Sequence, residues 1–239
     1  MRFAEKIVLL VTIACFAVAF WAYPLLPQVI ASHWDANGAV NGYLPSWSVF
    51  LMPAVVLLVL VLLVLIPRVE PRHKAIEAFR NDLDAFFIIL SLVISVLFVQ
   101  LYILWNFGKP LSPLATMPIA LAAIFYQVGV MMEDSKRNYF VGVRTPWTLA
   151  SDRVWEKTHA IAGKLFKAAG IIALLGLVFP KASLWLAIGP VLAVVAFLFV
   201  YSYVEFTKEG KPGKRASPAG QLRVSAKAKP KRSAKRKRR

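Results

Sequence analysis

His33 and Asp35 stand two residues apart in Ser32-His33-Trp34-Asp35-Ala36-Asn37-Gly38, the pairing in this chain best suited to acid–base work. An imidazole held by a carboxylate can take up and return a proton. A hydrolytic pair also needs a nucleophile beside it, and none is near. The chain has three histidines, His33, His73 and His159, far apart in sequence, and a single cysteine, Cys15. Metal sites need several converging ligands, and one thiol can form neither an internal disulfide nor a thiolate cluster. No GxSxG, HExxH, P-loop or paired-carboxylate motif occurs. The reading is therefore no catalytic residue, no cofactor, no metal and no enzyme, which directs attention to binding.

Two polar stretches are patterned enough to bind something. The first runs from Tyr23-Pro24-Leu25-Leu26-Pro27 through His33-Trp34-Asp35 to Asn41-Gly42-Tyr43-Leu44-Pro45. Asn37-Gly38 and Asn41-Gly42 are turn signals, because both residue types tolerate positive φ. Trp34, Tyr43 and Trp47 suit the headgroup level of a bilayer. The stretch reads either as a compact turn anchored by interfacial aromatics or as a recognition surface of His33, Trp34, Asp35, Gly38 and Gly42.

The second stretch reads Asn138-Tyr139-Phe140-Val141-Gly142-Val143-Arg144-Thr145-Pro146-Trp147-Thr148-Leu149, followed by Trp155-Glu156-Lys157-Thr158-His159. Thr145-Pro146 can open a helix as cap and first residue, as can Ser151 or Asp152 slightly later. From there Val154, Thr158, Ile161, Leu165, Ala168 and Ile172 recur at helical steps, with Arg153, Glu156, Lys157, Lys164 and Lys167 on other faces. That pattern predicts an amphipathic helix at the inner interface, bending into a membrane span. Its bland role is a connector with Trp147 and Trp155 as anchors. Its functional role is a cytosolic docking loop of Asn138, Gly142, Arg144, Thr145, Pro146, Trp147, Trp155, Thr158 and His159.

The elements that position these stretches are membrane helices. Of the 239 residues, 59% are hydrophobic and 17% charged, against about 45–50% and about 25% in a soluble domain. The apolar residues fall in six blocks without Asp, Glu, Lys or Arg: Ile7–Ile30, Ser48–Pro67, Ala85–Phe107, Leu111–Met132, Ala168–Pro180 and Ser183–Val204. Such lengths match a hydrocarbon core about 30 Å thick, where only a helix satisfies its own backbone. The fifth block is short, and Ala160–Phe166 extends it, with Lys164 and Lys167 able to snorkel. Gly189-Pro190 predicts a kink in the sixth. Lys and Arg are absent from the loop Ala31–Trp47 and concentrated in Arg68–Asp84 and Glu133–His159. Lys109 and Lys181 alone represent them in the third and fifth loops. By the positive-inside rule the chain has six spans with both termini in the cytosol. The apolar run after Arg2 and Lys6 exceeds a signal-peptide core, so the first helix is expected to be retained.

The fold class expected is thus an all-α integral membrane protein of the cytoplasmic membrane, six transmembrane helices, N-in/C-in, with the amphipathic interfacial helix before the fifth span. A disordered basic tail follows. Residues Lys208 to Arg239 hold 14 Lys or Arg and one acid, +13 of the formal net charge of +17. With Leu222 and Val224 as its large apolar residues, this segment cannot offset its ordering entropy. It suits anionic lipid or, alternatively, nucleic acid. Inside the spans the polar residues are Thr12, Gln100, Tyr102, Tyr126, Gln127 and Tyr201. Ion-coupled transport usually needs an ionisable group there, so a small-molecule or lipid transporter using the third and fourth spans stands as the alternative.

The stretch Asn138–His159, with Gly142-Val143-Arg144-Thr145-Pro146-Trp147-Thr148-Leu149 and Trp155-x-x-Thr158-His159, resembles the signature of the SdpI family of bacterial toxin-immunity and signal-transduction membrane proteins. Pro27…His33-Trp34-Asp35…Gly38…Gly42 resembles the DUF1648-type domain at the N-terminus of those proteins. The resemblance covers roughly residues 5–205 and implies a DUF1648-like membrane region over 1–110 and an SdpI-like region over 111–205. The basic tail, 206–239, departs from the family pattern. The resemblance further implies immunity to a secreted antibacterial peptide toxin met at the outer face, and sequestration of a transcriptional repressor at the inner face.

Overall fold

The structure is a computed structural model and describes residues 1–210. Six helices are long and apolar enough to cross a membrane, spanning Phe3–Leu25, Ser46–Val69, Arg80–Leu104, Pro113–Asp134, Asp152–Leu177 and Pro180–Lys208. Within them lie α1 (Phe3–Ala22), α2 (Leu51–Val69), α4 (Arg80–Leu97), α5 (Pro113–Asp134), α7 (Asp152–Ala173) and α8 (Ser183–Lys208). Two short helices, α3 (His73–Glu77) and α6 (Pro146–Ala150), lie in the Lys/Arg-rich loops. Large apolar side chains of the six spans, Phe20, Trp21, Val96, Trp185 and Val200 among them, point outward. That exposure is what lipid as the surrounding solvent requires.

Helices α1, α2 and α4 pack on one another, as do α5, α7 and α8, and the two sets meet where α4 lies against α5. Every buried position of α1 from Glu5 through Val8, Thr12, Cys15 and Ala19 to Ala22 falls on a three-and-four step, a single seam facing α2 and α4. The α5–α7 contact is set by missing side chains. A Cβ on Gly129 would lie 2.6 Å from the Gly163 carbonyl oxygen, and one on Gly163 only 2.8 Å from that of Gly129. Small residues that let two backbones touch are the usual basis of helix association in lipid.

Four features depart from the sequence expectation. The first outer loop is more than a turn: β1 (Val29–Trp34) and β2 (Val40–Pro45) form an antiparallel hairpin with irregular register around His33. The apolar/polar alternation there is short and interrupted by Gly and Asn, which hides a strand. The amphipathic helix does not lie apart at the interface and bend. Ser151 caps α7, its side chain accepting from the Val154 N–H at 3.3 Å, and the helix then runs unbroken from cytosolic loop to span. Only the five-residue α6 precedes it. The first and third spans also begin earlier than their charge-free blocks, so Glu5, Arg80 and Asp84 are buried at the inner ends of α1 and α4. Arg80 Nε lies 2.8 Å from Asp84 Oδ1 and its Nη2 3.9 Å from Glu5 Oε1, while Arg2 Nε reaches Asp84 Oδ2 at 2.8 Å. Mutual neutralisation is what permits charges in such a place. Finally, α8 continues through the proposed tail boundary to Lys208 with Pro190 inside it. The remainder of the basic tail, 211–239, lies outside the described residues.

Candidate functional sites at the two membrane faces

The outer hairpin is fastened to the end of the third span. There α4 gives way to a seven-residue π-helix, Phe98–Leu104, a local widening of the helix of a kind frequently found at functional sites. Asn106, just beyond it, receives the Ala31 N–H on Oδ1 at 2.8 Å and donates from Nδ2 to the Ala31 carbonyl at 3.2 Å. One side chain therefore replaces a strand neighbour for β1. Tyr102 donates its hydroxyl to the Ser32 carbonyl at 3.4 Å. The Trp34 ring packs edge-on against Trp105, centroids 5.4 Å apart, and against Tyr102 at 6.4 Å. Trp34 is thus an anchor beneath the hairpin, with its indole N–H buried and without a hydrogen-bond partner among the described residues.

Asp35 builds the turn. One carboxylate oxygen accepts from the Asn37 N–H at 2.8 Å and the Ala39 N–H at 2.9 Å. The Ala39 and Asn37 amides hold its carboxyl below the usual carboxylate range, since bonds to the ionised form favour it. Gly38 has φ +79° at the tip, and a Cβ there would touch Leu114 and Pro113 at 3.5 Å. Gly42 faces His33, where a Cβ would come within 2.8 Å of the His33 Cβ. His33 itself is exposed, its Nδ1 2.5 Å from Asn41 Oδ1. Of the five outer residues singled out from sequence, four shape or anchor the hairpin, and His33 is exposed beside Asn41.

The inner loop is a folded knot around two rings. Trp155 and His159 are stacked, centroids 3.9 Å apart and 14° from parallel, and both are buried. His159 Nδ1 lies 2.8 Å from the Trp155 carbonyl, which can only accept, so that nitrogen carries the proton. Nε2 then accepts from the Val143 N–H at 2.9 Å. Both ring nitrogens are engaged, leaving the imidazole no capacity to ligate or catalyse. The Trp155 indole donates to the Ser135 carbonyl at 3.0 Å. Asn138, fully buried, accepts from the Phe140 and Val141 N–H groups and donates to the Lys136 and Val141 carbonyls.

The remaining signature residues bind the loop to α8. Thr145 caps α6 in a reciprocal box with Thr148, and its hydroxyl reaches Ser202 Oγ at 3.2 Å; such a cap contributes about 1 kcal/mol. Pro146 occupies the first helical position, and Trp147 packs edge-on between Phe199 and Tyr203, each 5.1 Å away. Thr158 is buried, its hydroxyl unpartnered among the described residues. Arg144 and Pro146 alone among the nine are exposed.

Several residues that matter to this geometry carry no sequence signal beyond their polarity. Glu70 is fully buried, accepting the Arg72 N–H at 2.9 Å and, from the opposite loop, the Tyr139 N–H at 2.9 Å. Gln100 donates to the Leu111 and Ser112 carbonyls at 3.1 and 3.2 Å and accepts from Thr116 at 2.6 Å. Gln127 donates to the Asp82 carbonyl at 3.2 Å. Both glutamines are spent holding α4 to α5. Lys167, rather than snorkelling alone, pairs with Glu133 at 2.7 Å. An acid in a basic loop, Glu70-Pro71, is the hint that Glu70 offered.

Six apolar helices, an outer hairpin docked on the third span and an inner loop folded between the fourth and fifth define a small multi-pass protein of the cell membrane. Residues 135–202 match the SdpI/YfhL protein family and residues 10–57 match the domain of unknown function DUF1648. The chain is 24% identical over 171 residues, 70% of its length and 79% of the relative's, to the immunity protein SdpI of Bacillus subtilis (strain 168). These matches make the chain similar to the SdpI family over its inner loop and last two spans, and to DUF1648 over its first two. No solved structure matches the chain.

Proposed function

We propose that this protein protects the cell that carries it against a secreted antibacterial peptide, and that the outer hairpin receives the peptide. The carrying observation is the rigid presentation of His33. Asn106, Tyr102 and Trp34 tie β1 to the third span and Asp35 ties the turn, so His33, bonded to Asn41, is exposed on a hairpin held at several points, with Tyr43 exposed on the partner strand. A preorganised polar and aromatic surface binds without an ordering cost. The name of the Bacillus relative supports the immunity reading.

Holding a repressor at the inner face has less to work with. Seven of the nine signature residues there are not exposed, and their side chains serve the loop itself. The transporter alternative loses its two glutamines to helix–helix bonds. The test is growth of toxin-sensitive cells expressing the protein, challenged with its cognate peptide. His33→Ala with Tyr43→Ala should lower protection by about tenfold, the equivalent of ~1.4 kcal/mol, at unchanged membrane level. Full protection by that variant refutes hairpin recognition.

A further inference from the structure

The surface around Tyr139 contains two arginines that the fold positions and then leaves without an acidic partner. Arg72 holds its guanidinium over the Tyr139 ring, 5.2 Å from the centroid. Arg144 donates from Nη1 to the Tyr139 carbonyl oxygen. Glu70 fixes the backbone of both loops by accepting from the Arg72 and Tyr139 N–H groups. The acids nearby are committed: Asp152 lies 2.6 Å from Arg137 Nε, and Glu156 3.4 Å from Lys136 Nζ. Neither Arg72 nor Arg144 has a carboxylate within 4 Å among the described residues. Two planar donor forks thus converge on one residue and keep most of their N–H groups open.

Depth decides what such a pair meets. Arg72 follows directly on the inner end of α2 at Val69, and Tyr139 follows that of α5 at Asp134. Tyr139 and Phe140 are 47% and 39% exposed, and Val69 is exposed as well. Arginines beside aromatic side chains at the cytosolic end of membrane helices stand at the height of lipid phosphates. The guanidinium fork matches phosphate oxygens two at a time, and beside Arg72 lies a hollow of about 350 Å³ whose charged lining, Lys136, Arg137, Asp152 and Glu156, is paired within itself.

We propose that Arg72, held over the Tyr139 ring, and Arg144, held at the Tyr139 carbonyl, bind the phosphate of an anionic phospholipid in the inner leaflet. The lipid completes the charge of this corner and pins the second cytosolic loop to the fourth. This site is built from residues of the two inner loops and does not depend on the immunity reading.

The test is native mass spectrometry of the full-length protein titrated with dioctanoyl phosphatidylglycerol, with dioctanoyl phosphatidylcholine, inorganic phosphate and a hexaglutamate peptide as the other probes. Wild type should take its first phosphatidylglycerol about tenfold more tightly than phosphatidylcholine, the scale of one charge-assisted contact. Arg72→Gln with Arg144→Gln should abolish that preference. Lys235→Gln with Arg236→Gln, which removes equal charge from the tail, should leave it within about twofold. Should the glutamine pair fail to reach the membrane, Arg72→Lys with Arg144→Lys keeps the charge, loses the fork and should cost about threefold. An unchanged preference in either loop variant, or an equal loss in the tail variant, overturns the site. Arginine-dependent binding of phosphate or hexaglutamate as tight as that of phosphatidylglycerol overturns the lipid as its ligand.

Discussion

A Cβ added to Gly142 would lie 2.4 Å from His159 Nε2, the atom that accepts the Val143 N–H at 2.9 Å. Gly142 has φ +124°, a region that side chains rarely enter. Closeness and conformation therefore demand glycine together. The stacked rings behind it, Trp155 and His159, leave no room to yield.

Gly142→Ala should accordingly destabilise the protein by roughly 1–3 kcal/mol, the usual cost of overpacking. In a detergent melt of the full chain the midpoint should fall clearly, and membrane abundance with it. Arg144→Ala, which touches only the Tyr139 carbonyl, should melt near wild type. Equal melting of wild type and Gly142→Ala would mean that the ring stack is not the centre of this loop.

The α5–α7 contact invites a second comparison. Gly163 lies against the Gly129 carbonyl and the Glu133 side chain, while the Glu133–Lys167 pair is partly open to solvent. Backbone contact in lipid contributes more than a half-exposed ion pair. Gly163→Val should thus separate the helices and reduce the folded yield severalfold, whereas Lys167→Met should be nearly silent. A larger loss from Lys167→Met would reverse that ranking.

Sidedness has a direct chemical test. In a Cys15→Ala background, Ala39→Cys at the hairpin tip should react with an impermeant maleimide in intact cells. Ala150→Cys at the end of α6 should react only after lysis. Both alanines are exposed, so a missing reaction reflects the membrane and not burial. Reversed labelling would sink the N-in/C-in assignment.

How much of this was legible follows from the length scale of each signal. Hydrophobic blocks act over whole spans, so the six helices could be read off, while the Lys/Arg alternation supplies the expected orientation that labelling tests. Asn138, Gly142, Thr145, Trp155 and His159 were also visible as a group, because unusual residue types crowd one loop. Their roles were not visible. A tryptophan and a histidine at i and i+4 can stack inward or face a partner, and only the Ser135 carbonyl and Val143 amide decide which. The hairpin escaped because its register is held by Asn106, some 75 positions away from Ala31. Glu70 escaped for the same reason, since its second bond crosses 69 positions.

The hairpin tip should be acid-sensitive. The Asp35 carboxyl is held below the usual range by the Ala39 and Asn37 amides. A depressed carboxyl contributes stability that is present above its unfolded pKa and lost as pH falls through the folded one. The Asn37 and Ala39 amides should therefore lose hydrogen-exchange protection only below the ordinary carboxylate range. Asp35→Ala should show the unprotected behaviour at neutral pH, and Asp35→Asn, which keeps an acceptor, should fall between. Protection independent of both pH and Asp35 would remove that residue's role in the turn.

Glu70 ties the two inner loops, and its chemistry makes a narrow prediction. Each carboxylate oxygen accepts one backbone N–H, from Arg72 and from Tyr139, at a position with no solvent access. Glu70→Gln keeps the shape but replaces one acceptor with a donor, so one amide must face an NH2 group. A buried donor left without an acceptor costs about 1–3 kcal/mol. Glu70→Asp keeps both acceptors on a shorter stem and cannot bridge both loops at once. Either variant should lower the melting midpoint and raise hydrogen exchange at the Arg72 or Tyr139 amide, with the rest of the inner loop following. The Ala31 amide, held by Asn106 at the opposite face, should be unaffected. Local exchange that stays at the wild-type rate in both variants would show that the loops are held together without Glu70, and that the Arg72–Tyr139 stack suffices to join them.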